Sequence, residues 1–133
     1  MTIKIANRER LPDRKEVEEL ERSVGVRFPE AYVEFLTKYT GGEPEPNSFR
    51  LPDGDVSTVE WIVAWSRIPV MLTALQYRFG PGFLPLALAT AGELVLRVDN
   101  GSVLYYDYEL PGPEALTMVA GSIKEFLESL VVV

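Results

Sequence analysis

The chain has no cysteine and no histidine. Without cysteine there is no disulfide framework, no thiolate nucleophile and no zinc–cysteine site. Without histidine the commonest general base and the commonest metal ligand are missing, and every catalytic triad built on that residue is excluded. No apolar run approaches the ~18 residues that mark a membrane helix. The opening MTIKIANRER has no apolar centre of secretory-signal length, so the expected location is the cytoplasm. Positive charge is scarce too: 13 Lys and Arg stand against 20 Asp and Glu, a formal net charge of −7. Such a surface repels nucleic acid and anionic membranes and favours a basic protein partner, although solubility alone is served by the same charge. Lys4, Arg8 and Arg10 are too few for a nucleic-acid interface.

The 133 residues are 47% hydrophobic and 25% charged, which fits one globular domain over residues 1–133 with its core at about 11–130. Residues 11–42, LPDRKEVEELERSVGVRFPEAYVEFLTKYTGG, organise the rest. Asp13 and Glu16 have capping-box spacing. Val17, Leu20 and Val24 form one apolar stripe, and Gly25 suits a left-handed stop. Pro29 opens a second helix with the stripe Tyr32, Phe35, Leu36 and Tyr39, ended by Gly41-Gly42. Two short amphipathic helices need a partner surface, and the remainder of the chain is expected to supply it as a sheet. The fold class expected is α+β, a mixed and mostly antiparallel sheet with helices packed on it.

Ile3 and Ile5 alternate as in an edge strand. Residues 43–47, EPEPN, read as a rigid acidic loop, followed by a short strand at 48–51 and a turn at 52–55. Residues 56–68 read as a long central strand ended by Pro69, with Val59, Trp61, Val63 and Trp65 on one face. A helix is expected at 70–79, with Val70, Leu72, Ala74, Leu75 and Phe79 as burial candidates, although so short an apolar run also fits a strand. Pro85 makes the strand at 84–88 irregular or an edge. Residues 93–108 read as a hairpin around Asn100-Gly101. A two-residue turn there sets Val98 against Val103, Leu96 against Tyr105 and Leu94 against Asp107. Leu94, Leu96, Val98, Val103 and Tyr105 then face the helices, and Asp107 either lies beyond the core or is paired. A last helix carries Leu116, Val119, Ala120, Ile123, Phe126, Leu127 and Leu130, with Glu114 in its first turn. Residues 131–133 are an apolar tail that packs on the core or takes part in self-association.

Three stretches together resemble one family. They are the helical pair with Phe28-Pro29-Glu30-Ala31-Tyr32 and Gly41-Gly42; then Gly82-Phe83-Leu84-Pro85-Leu86-Ala87 with Gly92; then Tyr105-Tyr106-Asp107-Tyr108-Glu109 with Val119-Ala120 and Phe126-Leu127. In this order they look like the SUKH superfamily, which joins Syd-like proteins, fungal cell-wall-synthesis regulators of the Smi/Knr type and many bacterial proteins. Thr40, Tyr108 and Ile123 depart from the residues frequent at their positions. The resemblance implies the Smi/Knr-like α+β fold and no catalysis. It implies either an immunity protein that blocks a cognate toxin, often a nuclease, or a regulatory module like the fungal members.

The candidate sites divide accordingly. Asp53-Gly54-Asp55 lacks the further oxygen ligands of a calcium loop and reads as a turn. Gly80-Pro81-Gly82 lacks the lysine and hydroxyl of a phosphate loop. Asp107 and Glu109 share a strand face, which suits a carboxylate-only hydrolase if further acids converge; the plainer reading is a solvated strand end. No cofactor and no metal is expected. Aromatic runs in sheets more often fill cores, so a recognition role asks for Tyr106 or Tyr108 to be exposed. The favoured function is occlusion of a basic toxin domain by an acidic face made of Glu43, Glu45, Asp53, Asp55 and Glu60, with Tyr106, Asp107, Tyr108 and Glu109 beside it.

Overall fold

The computed structural model describes residues 3–6 and 8–132; Val133 of the apolar tail and Met1, Thr2 and Asn7 of the lead lie outside the described residues. Helix α1 (Arg14–Val24) begins at Asp13, whose carboxylate accepts the Glu16 amide at 2.8 Å while the Glu16 carboxylate accepts the Asp13 amide at 3.1 Å. Two end amides that the helix cannot satisfy itself are thereby paired. Gly25 ends it at φ 70°. Helix α2 (Glu30–Tyr39) buries Tyr32, Val33, Phe35 and Leu36.

Strand β1 (Lys4–Ala6) pairs with β2 (Glu43–Glu45) in a separate two-stranded sheet. The acidic loop expected at 43–47 is therefore in part a strand. Pro44 is tolerated because this small sheet asks few donors of it, and its ring is buried opposite Ile5.

The main sheet runs β3-β4-β5-β6-β7-β8, and every pairing is antiparallel. Its strands are β3 (Ser48–Arg50), β4 (Val56–Ile62), β5 (Phe83–Ala89), β6 (Gly92–Arg97), β7 (Val103–Asp107) and β8 (Leu116–Ala120). Helix α3 (Ile68–Phe79) separates β4 from β5, and α4 (Ile123–Ser129) follows β8.

Four differences from the sequence expectation have local causes. Strand β4 is shorter than expected: its register shifts between Val59 and Trp61, which breaks the alternation, and Trp65 enters a single 3-10 turn. Pro69 lies in the first turn of α3 rather than ending a strand, where its missing amide is harmless. Strand β5 is irregular at Pro85 yet interior, between β4 and β6; the Pro85 carbonyl takes the buried Tyr32 hydroxyl at 2.7 Å. Residues 116–120 form β8 instead of opening the last helix. Ser122 starts that helix, its hydroxyl accepting the Glu125 amide at 3.0 Å.

The hairpin forms with another loop. Leu94 faces Tyr105 and Leu96 faces Val103, two residues from the expected register. Arg97 and Ser102 close a four-residue loop through Arg97 N–H to Ser102 O at 2.9 Å. Gly101 supplies the left-handed step, at φ 75°. A shift of two keeps every side chain on its expected face. Leu94, Leu96, Val103 and Tyr105 join the main core with residues of α1, α2 and α4 and with Ile68 and Leu72 from the start of α3. Val95, Leu104 and Tyr106, on the other face, make a second core with Leu75 of α3 and Ala115.

Candidate functional site

A shallow groove of about 360 Å³ opens at one end of the sheet, lined by Leu51, Asp55, Val56, Ser57, Thr58, Thr90 and Tyr105. The hairpin β5–β6 brings Thr90 there, and β7 brings Tyr105. The Tyr105 hydroxyl donates to the Thr90 carbonyl at 2.9 Å, while the Thr90 hydroxyl donates to Glu60 at 3.4 Å. The Tyr105 phenol titrates above its usual range, first because it is desolvated and then because the Asp107 carboxylate lies near; Glu109 adds to the rise and Ser57 opposes it. Gly92 must be a glycine for the strands to close at this end: a Cβ would stand 2.2 Å from the Tyr106 carbonyl oxygen.

Asp53, Asp55, Glu60, Asp107 and Glu109 thus come from three separate segments to one end of the fold. Asp53, Asp55, Glu60 and Glu109 are exposed, and Asp107 is half-buried at the end of β7. Two of these acids shape turns: Asp53 accepts the Asp55 amide and Asp107 accepts the Glu109 amide, each at 2.9 Å. The Asp53–Asp55 stretch is therefore a turn of the kind aspartate favours. Glu43 and Glu45 are exposed on β2, where Glu45 faces Lys4 of β1. Among the described residues no three acidic side chains are grouped to hold a metal ion, and no helix is long and apolar enough to cross a membrane.

Tyr106 and Tyr108 lie on the α3 side of the sheet. Tyr106 is 6% exposed and Tyr108 is 50% exposed, their rings meeting edge to face at 5.0 Å. Phe79 meets Tyr106 at 5.0 Å on its other side, and the Arg78 guanidinium stands 5.5 Å over the Tyr106 ring. Glu93, beside Tyr108 and Arg78, is pushed above the usual carboxylate range by desolvation, against the pull of the Tyr108 hydroxyl and the Arg78 charge. The Tyr108 phenol is raised by burial and by this carboxylate. The sequence reading passed over Glu93 and Arg78. Alternation held the signal, since Glu93 shares its strand face with Val95, Arg97 and the second core. Trp65 lies under Arg10, whose guanidinium is 5.5 Å from the indole and is paired with Glu16 at 2.7 Å.

The sequence pattern of the SMI1 / KNR4 family (SUKH-1) matches residues 11–129. The chain is also 26% identical, over 141 aligned positions, to the SPbeta prophage-derived uncharacterized protein YokK of Bacillus subtilis (strain 168), a similarity covering 88% of this chain and 73% of that protein.

Proposed function

Because the chain belongs to the SMI1 / KNR4 family (SUKH-1), we propose that it is a non-catalytic, cytoplasmic protein-binding domain, an immunity protein that covers the basic active site of a cognate toxin. The observation that carries this reading is that Asp55 lines the groove while Glu60 accepts the Thr90 hydroxyl and Asp107 and Glu109 lie near the Tyr105 phenol, in a chain of net charge −7. Charge complementarity would speed encounter, while Tyr108, half-exposed on the α3 side of the sheet, is a separate aromatic candidate. Glu43 and Glu45 are exposed on β2, in the separate two-stranded sheet, and do not line the groove. The relative in Bacillus is by its name prophage-derived, a setting that suits toxin immunity better than housekeeping regulation. Against a hydrolase, the carboxyl raised above its usual range is Glu93, whose neighbours are a phenol and a guanidinium rather than a second acid.

The test is co-expression with the product of the neighbouring gene. An equimolar complex that weakens with salt and relieves that product's toxicity is the expected result. Asp55→Lys with Asp107→Lys should weaken it about a hundredfold, at roughly tenfold per reversed charge. No complex and no toxicity to relieve would overturn immunity in favour of a regulatory module.

A further inference from the structure

Two clusters of arginine, aromatic ring and carboxylate differ in how far they are paired. In the first, the Arg10 guanidinium lies 5.5 Å over the Trp65 ring and also reaches Glu16 through two hydrogen bonds of 2.9 and 2.7 Å. One planar side chain serves ring and carboxylate together. In the second, on the α3 face, the Arg78 guanidinium stands 5.5 Å over the Tyr106 ring, and the carboxylate is Glu93, the cross-strand partner of Tyr106. Here the set is incomplete. Among the described residues neither Arg78 nor Glu93 forms an ion pair. Glu93 is half-buried; the Tyr108 hydroxyl reaches it, and the Arg78 charge acts on it from further off. A carboxylate drawn out of water without a cation is costly. Beside it the Tyr108 ring is left half in solvent.

We propose that Glu93 and Tyr108 form a seat for an arginine side chain of a partner protein, its guanidinium pairing with the carboxylate and stacking on the exposed phenol ring. A guanidinium fits better than an ammonium, because its flat fork matches two carboxylate oxygens while its face lies on a ring, as Arg10 does between Glu16 and Trp65. The seat is already held in place. The Tyr108 amide donates to the Ala91 carbonyl at 3.1 Å, and the Tyr108 ring abuts Tyr106, which Phe79 supports in turn, so little freedom is lost on binding. The surroundings favour a protein over a free guanidinium compound. Leu88, the other cross-strand partner of Glu93, is 38% exposed, and Trp61 next along the row is half-exposed, which gives apolar surface for the rest of a partner. Arg78 is the local opponent, since its charge repels an incoming cation. The inference goes beyond the immunity reading, which places its contacts at the groove, and does not rest on it.

The experiment is a titration of the full chain with a capped glycine–arginine–glycine peptide, followed by backbone amide NMR at about 0.15 M salt to screen general attraction, with the lysine analogue alongside. The arginine peptide should shift the amides of Glu93 and Tyr108 with a millimolar Kd, and the lysine peptide should bind about threefold more weakly. Glu93→Gln should weaken the arginine peptide about tenfold, while Asp55→Asn, an equal change of charge at the groove, leaves it unchanged. Tyr108→Leu, which keeps the bulk and removes the ring, should weaken it about threefold. Arg78→Gln should strengthen it about threefold, and Arg22→Gln, the same change on α1, should not. Two results overturn the proposal. One is equal binding of both peptides that Glu93→Gln and Asp55→Asn reduce alike, which is attraction to an acidic chain and nothing more. The other is no shift at Glu93 or Tyr108 with the peptide at tens of millimolar. Neither result bears on whether a toxin complex forms at the groove, and the absence of that complex leaves the titration unaffected.

Discussion

On the face of the main sheet under α1, α2 and α4, Leu94, Leu96 and Val103 are at most 1% exposed, and Phe49 is locked edge to face between Tyr105 at 5.9 Å and Phe126 at 5.4 Å. On the face under α3 the same strands carry a smaller apolar centre and a polar border. Leu75, Val95, Leu104, Tyr106 and Ala115 form the centre; Glu93 and Arg97 are half-buried, and Leu88, Tyr108 and Met118 are 38–59% exposed. One cross-strand row makes the contrast plain. Trp61, Leu88, Glu93, Tyr106 and Leu116 are successive partners, so a single line of side chains passes from half-exposed indole to buried phenol. Helix α3 also gives Ile68 and Leu72 to the main core, which leaves Leu75 and Phe79 to cover the second face. The sealed face holds the fold together, while the open face and the sheet ends keep apolar and acidic side chains in solvent.

The sharpest way to break this comparison is to remove equivalent bulk from each face. Leu96→Ala should cost about 4 kcal/mol, toward the upper end for such a change, because Leu96 is 1% exposed and its packed neighbours cannot close the cavity. Leu104→Ala on the α3 face should cost about 2 kcal/mol, the low end for such a change, since Leu104 is 5% exposed and its border can relax toward it. Urea unfolding of both variants measures the two values. Equal costs would mean that α3 seals its face as well as the other three helices seal theirs.

What the sequence made legible follows the same division. The helical pair was readable because capping chemistry is local: Asp13, Glu16 and Gly25 act within a few residues of one another. The faces of the hairpin were readable because alternation survives a two-residue error in register. Residues 116–120 were not readable as a strand, since Leu116, Val119, Ala120 and Ile123 fit a helical stripe equally well; the deciding marks were Gly121 and the Ser122 cap. The acidic residues were visible one by one. Their convergence was not, because it depends on the β5–β6 turn delivering Thr90 to Glu60 and on β7 ending beside the 53–57 segment. The second core was missed for a related reason: nothing local announces that a helix will cross to the opposite face.

The smallest expected effect concerns the border itself. In the folded protein Glu93 titrates above its ordinary value of 4.5, chiefly because it is desolvated. The native state then holds a proton that the unfolded chain has already released. Stability therefore falls as pH rises from the ordinary carboxylate range through the folded pKa, and it is constant above. Glu16 works in the opposite sense. Its carboxyl is held down to about 2 by the Arg10 side chain and the Asp13 amide, so its contribution is present above the ordinary range and lost as pH falls toward 2. Comparing the unaltered chain with Glu93→Gln at each pH cancels the Glu16 effect. The variant should match the parent below the ordinary carboxylate range and be the more stable of the two at pH 7. A parent that is more stable than Glu93→Gln at pH 7 would mean that Tyr108 and Arg78 more than offset the desolvation, making the open face a place where charge is held rather than merely endured.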